Sequence, residues 1–276
     1  NSRVVIGCEP RLLPLFSRSF PSAEMVAVHR KPRNGDRFLI EDYNRIRSLE
    51  LRGMIDNNAV EMIDQTSRTV VVSDLLAEFR TGYDDFDRKA YLVADEAEVL
   101  RCEQLLQKAR LRVGISWRSS LNTSSRKEHY LTVEELLPLF ALEGIQFVNL
   151  QYDECSDEIA VAEQHYPGRL FDPDWLDQYN ELDKVAALIS SLDLVISPAT
   201  TVVELAGALG APTWLMSNSS ELHWRKLEGA DTDVWHGSLT HVEGAVLQNK
   251  ASLVEALRCK LTAWRDEKLA PAQAAE

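Results

Sequence analysis

The run with the most chemical content is Ser197-Pro198-Ala199-Thr200-Thr201-Val202-Val203-Glu204-Leu205-Ala206-Gly207. It reads as the end of a buried strand, a proline that stops the ladder, and a helix beginning at the threonine pair. The first N–H groups of such a helix, and the positive end of its dipole, face whatever lies beyond the strand. Two hydroxyls at that point suit the oxygens of a diphosphate. One turn on, Glu204 is placed to accept hydrogen bonds from ribose hydroxyls. The same spacing, Thr201-x-x-Glu204, is that of a capping box, which needs no ligand, and the local sequence leaves both readings open. Gly207 and Gly210 read as small residues for close helix–sheet packing and for a C-cap. No G-x-G-x-x-G follows a strand, which argues against a simple NAD enzyme.

A second polar segment follows Gly114-Ile115-Ser116-Trp117 and carries Arg118, Ser119, Ser120, Asn122, Thr123, Ser124, Ser125, Arg126 and Lys127. Cations among hydroxyls at the carboxyl end of a strand could clamp a phosphate and stabilise a leaving diphosphate. A solvated polar loop is the alternative. Arg118, Arg126 and Lys127 are the candidates for phosphate stabilisation, and no catalytic base is identifiable. Ser116, Ser119, Gln151, Tyr152, Thr200, Thr201 and Glu204 are the candidates for donor binding, with Gln151 and Tyr152 at the base or ribose end.

Other motifs carry less. Asp172-Pro173-Asp174 and Asp85-Phe86-Asp87 look like metal-holding acid pairs, but such pairs arise by chance in so acidic a chain, and no metal site is expected. The histidines (His29, His129, His165, His223, His236 and His241) show no ligand spacing, and no G-x-S-x-G elbow marks a serine hydrolase. Trp224-Arg225 and Trp235 read as packing residues of a C-terminal lid, with stacking on a base or sugar as the other use.

These residues need elements to hold them, and the pattern supplies a β–α alternation. Residues 4–8 are a β-branched run, a helix with Leu12, Leu13, Leu15 and Phe16 on one face follows, and residues 24–28 read as a strand. Residues 29–64 are less regular; Val70-Val71-Val72 leads as strand or turn into a helix over 75–80, and 95–109 is a helix. Strands are expected at 111–117, 146–150, 169–171, 192–197 and 211–216, and helices at 132–140, 157–165, 182–191, 201–209 and 251–265. That rhythm predicts an open, doubly wound sheet whose ligands bind beyond the carboxyl ends of the strands.

Composition limits what such a fold can meet. With 30 Lys and Arg against 43 Asp and Glu, the net charge is −13, which disfavours nucleic acid as a partner but not a nucleotide in a local pocket. Cys8, Cys102, Cys155 and Cys259 are scattered, which points to reduced thiols in a cytoplasmic protein. No apolar run approaches the roughly 20 residues of a membrane helix, and no signal-peptide pattern opens the chain. The length of 276 residues suits two domains.

Residues 112–264 resemble the heptosyltransferase-like glycosyltransferases of the GT-B type, most of all the branch found behind bacterial tetratricopeptide repeats. The resemblance is carried by an ordered series. Val113-Gly114-Ile115-Ser116-Trp117 looks like the strand that opens the donor domain, and Phe147-Val148-Asn149-Leu150-Gln151 like its second strand. Residues 186–197 are similar to the family's AAL-I-LDLVIS stretch, and residues 200–212 to DTAVAHLAGALGKP without its first residue. Trp224-Arg225 and Asp233-Val234-Trp235 are similar to its DWRW and DSPWYP pieces. Weaker likeness at 11–15, 73–76 and 91–95 extends it over most of the chain. Two departures stand out: Ala199 and Glu204 occupy the places of the family's Asp and His, and the Gly-Asp segment that opens its acceptor domain has no counterpart.

The resemblance implies a GT-B architecture with two Rossmann-like domains. Residues 1–110 would be a partial acceptor-side domain, 111–266 the nucleotide-sugar domain, and 267–276 a flexible tail. It implies metal-independent, inverting transfer of a hexosyl or heptosyl group from a nucleotide sugar to an acceptor in the cleft. The acceptor would be a protein such as flagellin or a cell-envelope glycan. No cofactor is implied beyond the donor itself, and a tetratricopeptide region in the same or a longer chain is the implied neighbour. Two other functions stay open: a non-catalytic nucleotide-sugar-binding or scaffold module, favoured by Ala199, and a nucleotide-sugar epimerase, which would need an acid/base cluster that the spacing of histidines and carboxylates does not show.

Overall fold

The computed structural model describes residues 3–28, 57–106, 110–119 and 129–270. The chain divides into two compact units, Asn1–Asp87 and Arg88–Glu276.

In the first unit, β1 (Val5–Cys8), α1 (Leu13–Ser19) and β2 (Glu24–Ala27) form the expected β–α–β, with the two strands parallel and in register from Val5↔Glu24 to Cys8↔Ala27. Leu15 is the fully buried residue of α1. Helix α2 (Asn57–Asp64) packs Ala59 and Val60 against Val28. The Val70–Val72 run forms a turn and no strand: the N–H groups of Asp74 and Leu75 fold back on the carbonyls of Val71 and Val72, opening α3 (Asp74–Phe79).

The second unit begins earlier than the sequence pattern placed it. The N–H groups of Tyr91 and Leu92 both donate to the carbonyl of Ala208 (2.9 and 3.0 Å), so the segment after Arg88 belongs with the second unit. Its elements are α4 (Glu96–Leu105), β3 (Leu111–Ile115), α5 (Val133–Phe140), β4 (Ile145–Asn149), α6 (Ser156–His165), β5 (Leu170–Phe171), α7 (Leu182–Ser190), β6 (Leu194–Ser197), α8 (Thr201–Leu209), β7 (Thr213–Ser217), a 3-10 helix (Ser220–Arg225), β8 (Leu239–Glu243) and α9 (Lys250–Leu269). Helix α9 thus continues into the expected tail, and residues 271–276 lie outside the described residues.

The six strands are parallel, in the order β5-β4-β3-β6-β7-β8. This is the doubly wound arrangement, and its order reverses between β3 and β6. Strands β4, β6 and β7 are buried at every position, which is why each holds consecutive apolar residues (Phe147-Val148, Leu194-Val195-Ile196 and Trp214-Leu215-Met216) where a half-exposed strand would alternate. One face of the sheet packs Val113, Ile115, Phe147, Ile196 and Trp214 against Leu136 and Phe140 of α5 and Leu253 and Leu257 of α9. On the other, Val203 of α8 joins Leu215 and Leu239.

Two glycines of α8 have specific geometric reasons. Gly210 takes φ +76° and closes the helix in the left-handed cap expected of it. Gly207 packs not on the sheet but on His236, whose ring would lie 2.4 Å from an added Cβ.

Candidate functional site

The reversal point between β3 and β6 brings two of the loops singled out by sequence side by side. Ser116 N–H donates to the carbonyl of Ile196 (3.1 Å), so the segment leaving β3 runs beside the end of β6. A crevice at such a point, beyond the carboxyl ends of the strands, is where open α/β sheets bind ligands.

On the β3 side the fold gathers Ser116, Arg118, Ser119, Gln151 and Tyr152. Gln151 is nearly fully buried, and its Oε1 accepts from Ser116 Oγ, Trp117 N and Arg118 N (3.2–3.3 Å). Its Nε2 donates to Asp153 (2.6 Å), and its backbone N–H to Asn149 Oδ1 (2.8 Å). Gln151 is therefore a clasp between the β3 and β4 loops. Tyr152 is the outward member, with its hydroxyl 3.2 Å from Ser119 Oγ and its ring 6.4 Å from that of the exposed Tyr179.

Arg118 does not face outward as a phosphate clamp. Its Nε and Nη2 donate to Glu158, its Nη1 to Asp153 and its Nη2 also to the Glu154 carbonyl. Hydrogen bonds to Glu158 first, and to Asp153, push its pKa up against the opposing desolvation. The guanidinium ties the β3 loop to α6, with Trp117 Nε1 on the same Glu158 (2.8 Å). Neither Glu158 nor Asp153 was singled out by sequence; they lie 40 and 35 residues from Arg118 and carry no local motif. Arg126, Lys127 and most of the polar segment that holds them lie outside the described residues.

On the β6 side, Thr200 is the N-cap of α8, with extended backbone (φ −131°, ψ 178°) and no capping hydrogen bond from its side chain. Its hydroxyl lies 3.2 Å from Ser197 Oγ. Ala199 and Thr201 are exposed. The capping box that Thr201-x-x-Glu204 allows is not formed: the helix starts one residue early, and Glu204 turns to Arg225.

Around Glu204 lies a polar cluster that sequence spacing did not reveal. Arg225 donates from Nη1 to Glu204 Oε1 (2.5 Å) and from Nε to Asp233 Oδ2 (2.8 Å). His236 Nε2 reaches Glu204 Oε2 (3.3 Å), and His241 Nε2 reaches Asp233 Oδ2 (3.1 Å). Carboxylates only accept, so both imidazoles carry the proton on Nε2 in these contacts. Of the Trp224-Arg225 pair, read from sequence as packing residues, Arg225 is buried and held by this cluster, whereas Trp224 is exposed. Desolvation raises the pKa values of Glu204 and Asp233, but hydrogen bonds from His236 and His241 respectively, and from Arg225 to both, outweigh it and leave both carboxyls below their ordinary values. The fold thus groups acids and histidines that looked scattered.

The acid pairs have local duties. Asp172 accepts from Asn149 Nδ2 (2.9 Å), and Asp85 accepts from the Thr81 and Gly82 N–H groups. Among the described residues no group of His, Cys, Asp or Glu is arranged to hold a metal ion, and no helix is long and apolar enough to cross a membrane.

No protein-family model matches the chain. Among curated proteins it is similar to Protein FlbA of Caulobacter vibrioides, 30% identical over 237 residues, a match taking in 85% of this chain and 37% of FlbA. The chain therefore spans little more than a third of that relative's length. Among solved structures, the glycosyl transferase family 9 protein of Veillonella parvula superposes with a TM-score of 0.61 at 11% identity, over 97% of this chain and 89% of that one. The ADP-heptose lps heptosyltransferase II of E. coli gives a TM-score of 0.60 at 14% identity, over 97% and 91%. At these identities the likeness is one of fold: the α/β architecture with parallel sheets resembles that of GT-B glycosyltransferases, as the sequence led us to expect.

Proposed function

We propose that this chain is a glycosyltransferase, or part of one, that takes a sugar from a nucleotide donor bound by its second unit. The observation that carries this reading is the threonine-led start of α8 at the reversal point of the sheet, in a fold that resembles solved glycosyltransferases. In this reading Thr200, Thr201 and the first N–H groups of α8 hold the diphosphate. Glu204, kept ionised by Arg225 and His236, accepts from the ribose. Tyr152 and the adjacent Tyr179 serve the base end, with Gln151 setting the loop that carries Tyr152. Arg118 contributes by rigidifying the β3 loop, and Arg126 and Lys127 remain the candidates for the leaving phosphate. Transfer is metal-independent and inverting, and the acceptor is a protein such as flagellin or a cell-envelope glycan, with tetratricopeptide repeats in the same or a longer chain. These last features rest on the sequence resemblance alone.

The test is thermal unfolding with UDP, GDP, ADP, CMP and dTDP, run on wild type and on a Thr200→Ala/Thr201→Ala variant. A nucleotide at about 100 times its dissociation constant adds roughly 2.7 kcal/mol, a midpoint shift of roughly 5–10 °C for a domain of this size. One nucleotide should produce that shift, and the double variant should lose it. No shift with any of them would end the donor reading.

A second reading, a binding module without catalysis, is favoured by Ala199 and by the engagement of Arg118 with two carboxylates. A nucleotide-induced shift without donor hydrolysis or transfer by the full-length protein would select it.

A further inference from the structure

Glu204 owes its position to a chain of polar contacts that starts away from its own helix. Asp233 is fully buried, and its carboxylate receives four donors. Oδ1 accepts the N–H groups of Trp235 (2.8 Å) and His236 (3.1 Å), and Oδ2 accepts from Arg225 Nε (2.8 Å) and His241 Nε2 (3.1 Å). A group so held has one orientation, and it passes that orientation on. With its Nε edge taken by Asp233, the planar guanidinium of Arg225 presents its two Nη atoms to Glu204, at 2.5 Å from Oε1 and 3.4 Å from Oε2. His236 Nε2 adds a third donor, and its ring is fixed by stacking on Tyr91 (6.1 Å, 25°) and by its contact with Gly207.

The two ends of this chain differ in exposure. The Asp233 side chain is 0% exposed and that of Arg225 7%, while the Glu204 side chain is 51% exposed. A carboxylate has about four acceptor positions, and the described residues fill three on Glu204. What reaches solvent is an acceptor whose direction is set before any ligand arrives. Fixing a flexible glutamate in advance removes part of the ordering cost of binding.

We propose that Arg225, anchored by Asp233, is a positioning residue that aims Glu204 at a ribose hydroxyl, so that the site selects ribonucleotide donors over 2′-deoxyribonucleotides. The assignment rests on the donor-site reading above. Lysine cannot replace Arg225, because a single ammonium cannot bridge Asp233 and both oxygens of Glu204 in one plane.

The experiment is titration calorimetry of the full chain with ADP, UDP and GDP, their 2′-deoxy counterparts, and inorganic pyrophosphate, which contacts only the phosphate end. Wild type should prefer the ribose form of its nucleotide by on the order of tenfold or more, the value of a hydrogen bond to a charged group. Arg225→Lys should lose that preference while keeping its affinity for pyrophosphate, a split that general destabilisation would not produce. Glu204→Asp serves as a second variant that leaves the buried Arg225–Asp233 pair intact but withdraws the carboxylate from its fork; it too should lose the preference, and it decides the matter if Arg225→Lys does not fold. A wild type that binds ribose and deoxyribose forms equally, or either variant retaining the full preference, overturns the assignment alone. A wild type that binds neither nucleotide nor pyrophosphate overturns the donor reading and this assignment with it.

Discussion

Helices α5 and α8 both carry the Thr-x-x-Glu signature at their starts and put it to opposite uses. In α5 the box closes: Glu135 N–H donates to Thr132 Oγ1 (3.3 Å), and Thr132 N–H donates to Glu135 Oε2 (2.8 Å). In α8 the N-cap is Thr200, one residue before the expected cap, and Glu204 leaves its own backbone for Arg225. The difference lies in the surroundings. Glu204 meets a cation already anchored by a buried carboxylate, and an ion pair with two charge-assisted hydrogen bonds outcompetes a single bond back to the chain. The closed box terminates a structural helix; the open one leaves first-turn N–H groups beside the reversal point of the sheet.

The largest expected effect comes from removing the anchor that draws Glu204 away. Asp233→Asn leaves the buried Arg225 with one half-exposed partner and loses charge-assisted bonds to His241 and two backbone N–H groups. It should cost about 3–5 kcal/mol, read from urea unfolding. Acid should reproduce part of this. The folded-state pKa values of Asp233 and Glu204 lie below their ordinary 3.8 and 4.5. The unfolded chain therefore takes up these protons first, and the stability they contribute is complete above about pH 4.5 and lost as the pH falls through the lower folded-state values. The urea midpoint of wild type should drop on acidification below pH 4.5, and that of Asp233→Asn should drop less.

A smaller effect marks the closed box. Thr132→Ala removes the acceptor for Glu135 N–H and should cost about 1 kcal/mol, measured by chemical denaturation. A loss near zero would mean that the two helix starts are not different in kind.

Much of the second unit was legible because its elements are local. The apolar runs that became β4, β6 and β7, the Gly210 cap and the Thr132–Glu135 box each depend on a few neighbouring residues. The same is true of β1, α1 and β2. What stayed hidden was pairing across distance. Arg118 finds Glu158 at a separation of 40 residues, Arg225 finds Glu204 at 21, and His236 finds Glu204 at 32. A lone arginine in sequence looks the same whether it will face a phosphate or a buried carboxylate. The Val70–Val72 run shows the converse: its β propensity was overridden by a tight turn, and Val72 is 79% exposed.

The smallest expected change in stability is also the sharpest test of the comparison. Thr200 occupies the N-cap of α8 without making a capping bond, and Thr201 is an exposed helical residue that alanine, the better helix former, can replace. The Thr200→Ala/Thr201→Ala variant should therefore unfold within about 0.5 kcal/mol of wild type, less than an ordinary N-cap threonine costs when removed. If these hydroxyls exist to meet phosphate oxygens, their removal should nevertheless abolish the nucleotide-induced rise in melting temperature. A variant that melts much lower on its own would show the pair to be a structural cap like Thr132, and the contrast between the two helix starts would then be one of geometry without a ligand behind it.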